Sequence, residues 1–142
     1  MQQQIAKGDV LQRLAGVSFI VGATLLIVFN ALFPRAADPA DMGKVIAKIA
    51  ETRGGFWEIT NLLLAVGMWA VMMGVAGVYR SITVGAGAAW SRLGFYGVTV
   101  STALWTAMFA LQGLGLPMVV ERWQNAAGPD KATLFLIASS IS

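Results

Sequence analysis

Three long apolar runs dominate the pattern of the chain, at residues 14–33, 57–79 and 93–116. The first and third contain no charged residue, and the second contains only Glu58, one position inside its start. A run of about twenty residues rises about 30 Å as an α-helix, which matches the hydrocarbon core of a bilayer. The pattern predicts an all-α integral membrane helical bundle with three visible transmembrane helices, forming a single transmembrane domain over residues 1–142.

Residues that stop or flank helices bound the three runs. Pro34 follows the first, Arg80 closes the second, and the third lies between Arg92 and Pro117. The glycine- and alanine-rich segment from Arg80 to Arg92 is predicted to be the loop that joins the last two spans. The first run is too long for a signal-peptide core and ends without a small-x-small cleavage site, so we expect it to be retained as a membrane helix.

A short amphipathic helix is predicted between the first two spans, over residues 39–53. Asp38 is the expected N-cap, Pro39 the first helical residue, and Gly54-Gly55 the stop. The apolar positions recur at helical spacing: Met42, Val45, Ile46 and Ile49. We expect this helix to lie at the membrane surface or over the bundle.

A second amphipathic helix is predicted over residues 130–141, after a start signal at Gly128-Pro129-Asp130. Its apolar face would contain Leu134, Ile137, Ala138 and Ile141. The segment is too short to cross a bilayer. Because the order of span and amphipathic helix begins again here, we expect a fourth span beyond Ser142.

The amino-acid composition indicates that the chain is surrounded by lipid, and it excludes several kinds of catalytic and metal site. The chain is 57% hydrophobic and 12% charged, whereas soluble domains carry about 25% charged residues. It contains no cysteine and no histidine, which excludes thiolate chemistry, Cys/His zinc sites and the commonest haem ligands. The net charge of +3 comes from residues that flank the spans, and no basic stripe with interleaved aromatics predicts nucleic-acid binding. We expect no catalytic activity, no cofactor and no bound metal.

The basic residues give a topology. Lys7, Arg13, Arg80 and Arg92 fall on one side of the predicted spans, and the other six basic residues share their side with six acids. Acidic residues count little in the positive-inside rule, but the first span usually dominates the orientation. We expect the N-terminus and the Arg80–Arg92 loop to be cytoplasmic.

Small residues at four-residue spacing mark candidate helix-packing surfaces, because they let backbones approach closely in lipid. They are Ser18/Gly22, Ala70/Gly74, Gly97/Ser101 and Thr99/Ala103/Ala107. We expect contacts within the chain first and contacts with partners second.

Two tryptophans, Trp69 and Trp105, fall near the middle of the second and third spans, away from the usual interfacial position. With Met72 and Met108 they form a candidate apolar surface for a ligand or partner; packing inside the bundle is the alternative.

Polar residues in the spans offer a further candidate site: Asn30, Asn61 and Gln112. The sequence favours the alternative interpretation, in which they make inter-helix hydrogen bonds or lie at the membrane interface. Glu58 is the acid that lies closest to the membrane interior, and it could bind a cation or transfer protons. The alternative is that it is an interfacial acid at a helix N-terminus.

The order of these elements resembles the DUF4386-like bacterial multi-pass membrane proteins. The resemblance rests on Lys7 and Arg13-Leu14-Ala15-Gly16 where the first span begins, and on Asp38-Pro39-Ala40-Asp41 after that span. It also rests on Leu116-Pro117 and Glu121-Arg122-Trp123, which are followed by a Pro-Asp helix start. It implies a bacterial inner-membrane protein that is longer than this chain, and it carries no catalytic residues.

Two functions fit the sequence, and a third fits it less well. The first is a non-catalytic accessory subunit whose partners are other integral membrane subunits and lipids, favoured because the spans lack charge at mid-depth, histidine and cysteine. The second is a small carrier or channel for an uncharged or lipid-like ligand, suggested by Asn61 and Gln112. The third, an oxidoreductase with its own metal or haem, lacks the usual ligands.

Overall fold

The computed structural model describes residues 2–38, 40–52 and 54–141, with side chains described from residue 10 onward. Over these residues the structure is helical and contains no strand, which confirms the predicted all-α fold. The helices are α1 (Gln2–Leu32), α2 (Met42–Thr52), α3 (Phe56–Ser81), α4 (Gly85–Ala110), a π-helical segment (Leu111–Gly115), α5 (Leu116–Asn125) and α6 (Gly128–Ile141).

Three stretches of helix are long and apolar enough to cross a membrane: Val10–Leu32, Phe56–Ser81 and Gly85–Asn125. The most apolar 18 residues of each stretch have mean hydropathies of 2.1, 2.0 and 1.6, and only 6%, 17% and 22% of these residues are buried within the chain. Most of their apolar side chains therefore point away from the rest of the protein. A soluble protein does not expose such long apolar surfaces, so these helices support a multi-pass membrane protein.

The third span begins earlier than the sequence pattern predicts. The loop predicted over Arg80–Arg92 is reduced to residues 82–84, and α4 starts at Gly85, whose φ is +72°. Glycine adopts this left-handed conformation without the steric cost of a side chain. Several of the following residues are alanine, the strongest helix former, so the small-residue segment continues as helix instead of loop.

Pro117 does not end the third span, contrary to the prediction of a span over 93–116. The helix widens into the π-helical segment, where the N–H of Leu116 donates to the carbonyl of Leu111, five residues earlier. A proline ring has no N–H and collides with the carbonyl four residues before it in a regular α-helix. The wider turn relieves this conflict, and the chain continues as α5 to Asn125.

The start of α2 also differs from the prediction. Oδ1 of Asp41 accepts hydrogen bonds from the N–H groups of Gly43 at 2.9 Å and Lys44 at 3.3 Å, so Asp41 is the N-cap. Asp38, the predicted cap, instead accepts from the N–H of Ala40 at 3.2 Å, which makes a local turn that competes with capping. The hydrogen bond from the Lys44 N–H lowers the pKa of Asp41 below its usual value. The predicted first and last residues of this helix, Pro39 and Arg53, lie outside the described residues.

The chain divides into two compact units, and three helices contribute to both of them. Unit 1 contains the chain up to Val28 together with Leu64–Thr106. Unit 2 contains Phe29–Leu63 and the chain from Ala107 onward. The core of unit 2 contains the following buried residues: Ile46, Ile49, Trp57, Leu116, Val120 and Ala138. Of the two positions expected for α2, the structure therefore supports packing over other helices.

The packed face of α6 agrees with the predicted one at Ala138 and Ile141 and differs from it at Ile137. Ala138 is fully buried, and Phe135 and Ile141 pack against the core of unit 2, but Ile137 is 42% exposed and Leu136 is 67% exposed. Four successive apolar residues, 134–137, cover the whole circumference of the helix. Their pattern alone does not fix which side packs, and the helix is not amphipathic as predicted.

Candidate functional site

Helices α1 and α3 meet in unit 1 along a seam of small residues, here called the α1–α3 seam. It contains Ala15, Phe19 and Gly22 of α1, and Gly67, Ala70, Val71, Gly74 and Gly77 of α3. A Cβ added at Gly22 would lie 2.6 Å from the backbone nitrogen of Val71 and 2.7 Å from the carbonyl oxygen of Gly67. Only glycine permits this approach, because the neighbouring atoms belong to the backbone and cannot turn aside.

The seam brings together Gly22, Ala70 and Gly74, three of the small residues singled out from the sequence. A Cβ at Gly74 would lie 2.5 Å from Cβ of Phe19, and one at Gly77 would collide with Cβ of Ala15. Ser18 is half-buried beside the seam. Sequence reasoning missed Gly67 and Gly77, although the spacing of residues 67, 70, 74 and 77 places all four on one helical face.

The small residues of α4 lie in a different environment. Gly97 is exposed, and a Cβ added there would meet no atom within 4 Å; Ala103 and Ala107 are also exposed, and Ser101 is half-buried. Within unit 1 the exposed side of α4 forms a continuous strip, here called the α4 outer face. It contains Trp90, Leu93, Gly97, Val100 and Leu104. Gly97 thus leaves a shallow gap between the exposed side chains of Leu93 and Val100.

Trp69 joins α3 to α4 within unit 1. Its Nε1 donates to Oγ1 of Thr106 at 3.0 Å, and that hydroxyl donates to the carbonyl of Thr102 at 2.7 Å. The indole N–H is thereby satisfied without water, as an apolar solvent requires. Trp69 is still 48% exposed, Trp105 is 42% exposed and Met72 is half-buried. Met108, which belongs to unit 2, is 41% exposed.

A buried polar contact joins α3 to the π-helical segment in unit 2. Trp57 is 5% exposed, and its Nε1 donates to the backbone carbonyl of Gln112 at 2.7 Å. Asn61 is 1% exposed, and its Nδ2 donates to the carbonyl of Trp57 at 3.0 Å. A Cβ added at Gly113 would lie 2.8 Å from Cβ of Asn61. Asn61 and Gln112 are therefore linked through Trp57, which was not among the site residues predicted from the sequence.

The remaining polar candidates make local contacts. The carboxylate of Glu58 accepts from the N–H groups of Gly54 at 2.8 Å and Gly55 at 2.9 Å, which supports the interpretation of an interfacial acid at the start of α3. Oδ1 of Asn30 accepts from Nη2 of Arg35 at 3.2 Å. Across residues 2–38, 40–52 and 54–141, no three acidic, histidine or cysteine residues are close enough together to hold a metal ion.

The chain matches no protein family, no curated protein and no solved structure. The resemblance to DUF4386-like proteins stays a prediction from the sequence pattern.

Proposed function

We propose that this protein is a non-catalytic subunit of a larger integral membrane complex, and that a transmembrane helix of another subunit binds to the α4 outer face. The observation that carries the proposal is the contrast between two sets of small residues. The glycines of the α1–α3 seam are packed against atoms of the facing helix, whereas Gly97 lies between Leu93 and Val100 with open space around it. Lipid chains do not require such a gap, but a closely packed helix does.

We further propose that the complex lies in a bacterial inner membrane and that the N-terminus of this chain is cytoplasmic. Basic residues at Lys7 and Arg13 precede the first span, and this flank supports the orientation.

Filling the gap at Gly97 tests the proposal. We expect Gly97→Leu to insert and fold like the wild type but to retain its partner subunits at least about fivefold less well in mild detergent, because overpacking a close contact costs about 1–3 kcal/mol. Native purification with quantification of co-purifying membrane polypeptides measures this. The matched control is Gly16→Leu on α1, where a side chain also meets open space.

Two results would contradict the proposal. One is a wild-type protein that purifies as a single species with no other polypeptide. The other is equal retention of partners by Gly97→Leu and Gly16→Leu. Because the chain contains no cysteine, a Val100→Cys variant also permits clean crosslinking to a partner helix from the same face.

A second candidate function is a small carrier for an uncharged or lipid-like ligand. It is supported by Oδ1 of Asn61, which is buried and has no hydrogen-bond partner among the described residues. Such a carrier would act as a purified single chain in liposomes, whereas an accessory subunit would not.

A further inference from the structure

A groove of about 640 Å³ opens beside the α1–α3 seam in unit 1. Its inner part is mainly apolar and is lined by Leu14, Ala15, Met73 and Gly77, with Ser18 as a polar side chain among them. Its outer part is lined by the polar residues Gln12, Arg80 and Ser81 together with Leu11. The volume falls within the range of small-molecule pockets, about 300–1,000 Å³.

The two parts follow the direction of the membrane normal. Arg80 lies in the last turn of α3, and Met73 lies seven residues deeper in the same span. This distance corresponds to about 10 Å of helix. The groove therefore begins with a cation and polar side chains near the membrane surface and continues with apolar side chains toward the hydrocarbon core.

The charge at the outer end is positive. Arg80 is exposed, and its side chain makes no hydrogen bond or ion pair with another residue of the described part of the chain. The segments at this end, residues 1–13 and 80–92, contain four basic residues and one acid, Asp9. Among the described side chains that line the groove, none is acidic.

We propose that this groove binds one anionic phospholipid, with its phosphate at Arg80 and an acyl chain along Leu14 and Met73. The division into a cationic outer part and an apolar inner part fits a molecule with an anionic head and a hydrocarbon tail. Basic pockets between membrane helices recognise anionic lipids in this way. A guanidinium binds phosphate oxygens with paired hydrogen bonds, and Gln12 and Ser81 place further polar atoms beside it. The proposal needs only that the groove faces lipid, so it does not depend on the subunit role.

The test uses the full chain in phosphatidylcholine vesicles that contain one fifth phosphatidylglycerol. Spin-labelled phosphatidylglycerol and phosphatidylcholine report the relative association of each lipid with the protein. We expect the wild type to prefer phosphatidylglycerol, and we expect Arg80→Gln to reduce this preference about fivefold, the effect of one surface cation. Arg80→Lys keeps the charge and is expected to keep most of the preference. Circular dichroism and elution volume verify that each variant is folded.

The matched control is Arg92→Gln, which removes the same charge at the same end of the spans without touching the groove. We expect it to leave the preference unchanged. Equal loss in Arg80→Gln and Arg92→Gln, or no loss in either, would overturn the proposal, since the attraction would then be general or absent. Displacement of the spin-labelled lipid by water-soluble glycerol phosphate would also overturn it, because an anion without a chain would then suffice.

Discussion

Gly22→Ala is expected to lower the free energy of unfolding in detergent by about 1–3 kcal/mol, the usual cost of overpacking a close contact. The added methyl group would lie 2.6 Å and 2.7 Å from backbone atoms of Val71 and Gly67. These atoms can move only if α1 and α3 separate, which weakens the rest of the seam. Unfolding in increasing sodium dodecyl sulfate, followed by circular dichroism, measures the change.

Gly16→Ala provides the matched control on the same helix. A Cβ there meets no atom within 4 Å, and alanine favours helix over glycine by about 0.5–1 kcal/mol. The two variants should therefore change stability in opposite directions. Equal effects of the two substitutions would mean that α1 and α3 do not meet at Gly22.

Ile46→Ala is expected to destabilise unit 2 by about 2–5 kcal/mol, the usual range for truncating a buried isoleucine to alanine. Ile46 is fully buried and packs in one cluster with Val120 and Ala138. Since α2 has only 11 residues, it depends on this packing rather than on its own helix propensity. Hydrogen exchange across Met42–Thr52 should therefore accelerate by at least about tenfold.

The control for Ile46→Ala is Ile59→Ala on α3, also in unit 2, because Ile59 is 52% exposed. Its truncation leaves no cavity, and we expect little change in exchange over α2. If Ile46→Ala left the exchange of α2 unchanged as well, α2 would not be docked on the helices of unit 2.

The fold and the number of spans could be predicted because hydropathy averages over about twenty residues and tolerates local errors. The predicted ends of the helices were wrong where two local effects of single residues compete. The small residues after Gly85 combine the flexibility of glycine with the helix propensity of alanine, and the pattern did not show which would prevail. Pro117 predicts a helix end in water, but in an apolar solvent the chain retains helical hydrogen bonds by widening a turn.

The candidate surfaces were harder to predict because they depend on how each helix is rotated. Gly22 and Gly97 each belong to a pair of small residues four positions apart. Gly22 is packed against backbone atoms, however, whereas Gly97 faces open space. The Trp57–Gln112 hydrogen bond joins residues 55 positions apart, and no local pattern encodes it. The groove at Arg80 was also not predicted, because the sequence pattern indicated only that this arginine ends the second span.

Single-cysteine labelling tests most directly whether the three apolar helices cross a membrane. The chain contains no cysteine, so Ile27→Cys, Leu62→Cys and Val100→Cys each report one position. The native residues are 71%, 63% and 60% exposed, and Val84, in the turn before α4, is 81% exposed. Ala127→Cys reports the exposed turn between α5 and α6.

In intact membranes, a water-soluble maleimide should leave the three cysteines within the spans unlabelled until the membrane is dissolved and the protein denatured. It should label Val84→Cys from one side of the membrane and Ala127→Cys from the other. If the cysteines within the spans reacted as fast as Val84→Cys, or if both turn cysteines reacted from the same side, the three helices would not cross a membrane as proposed.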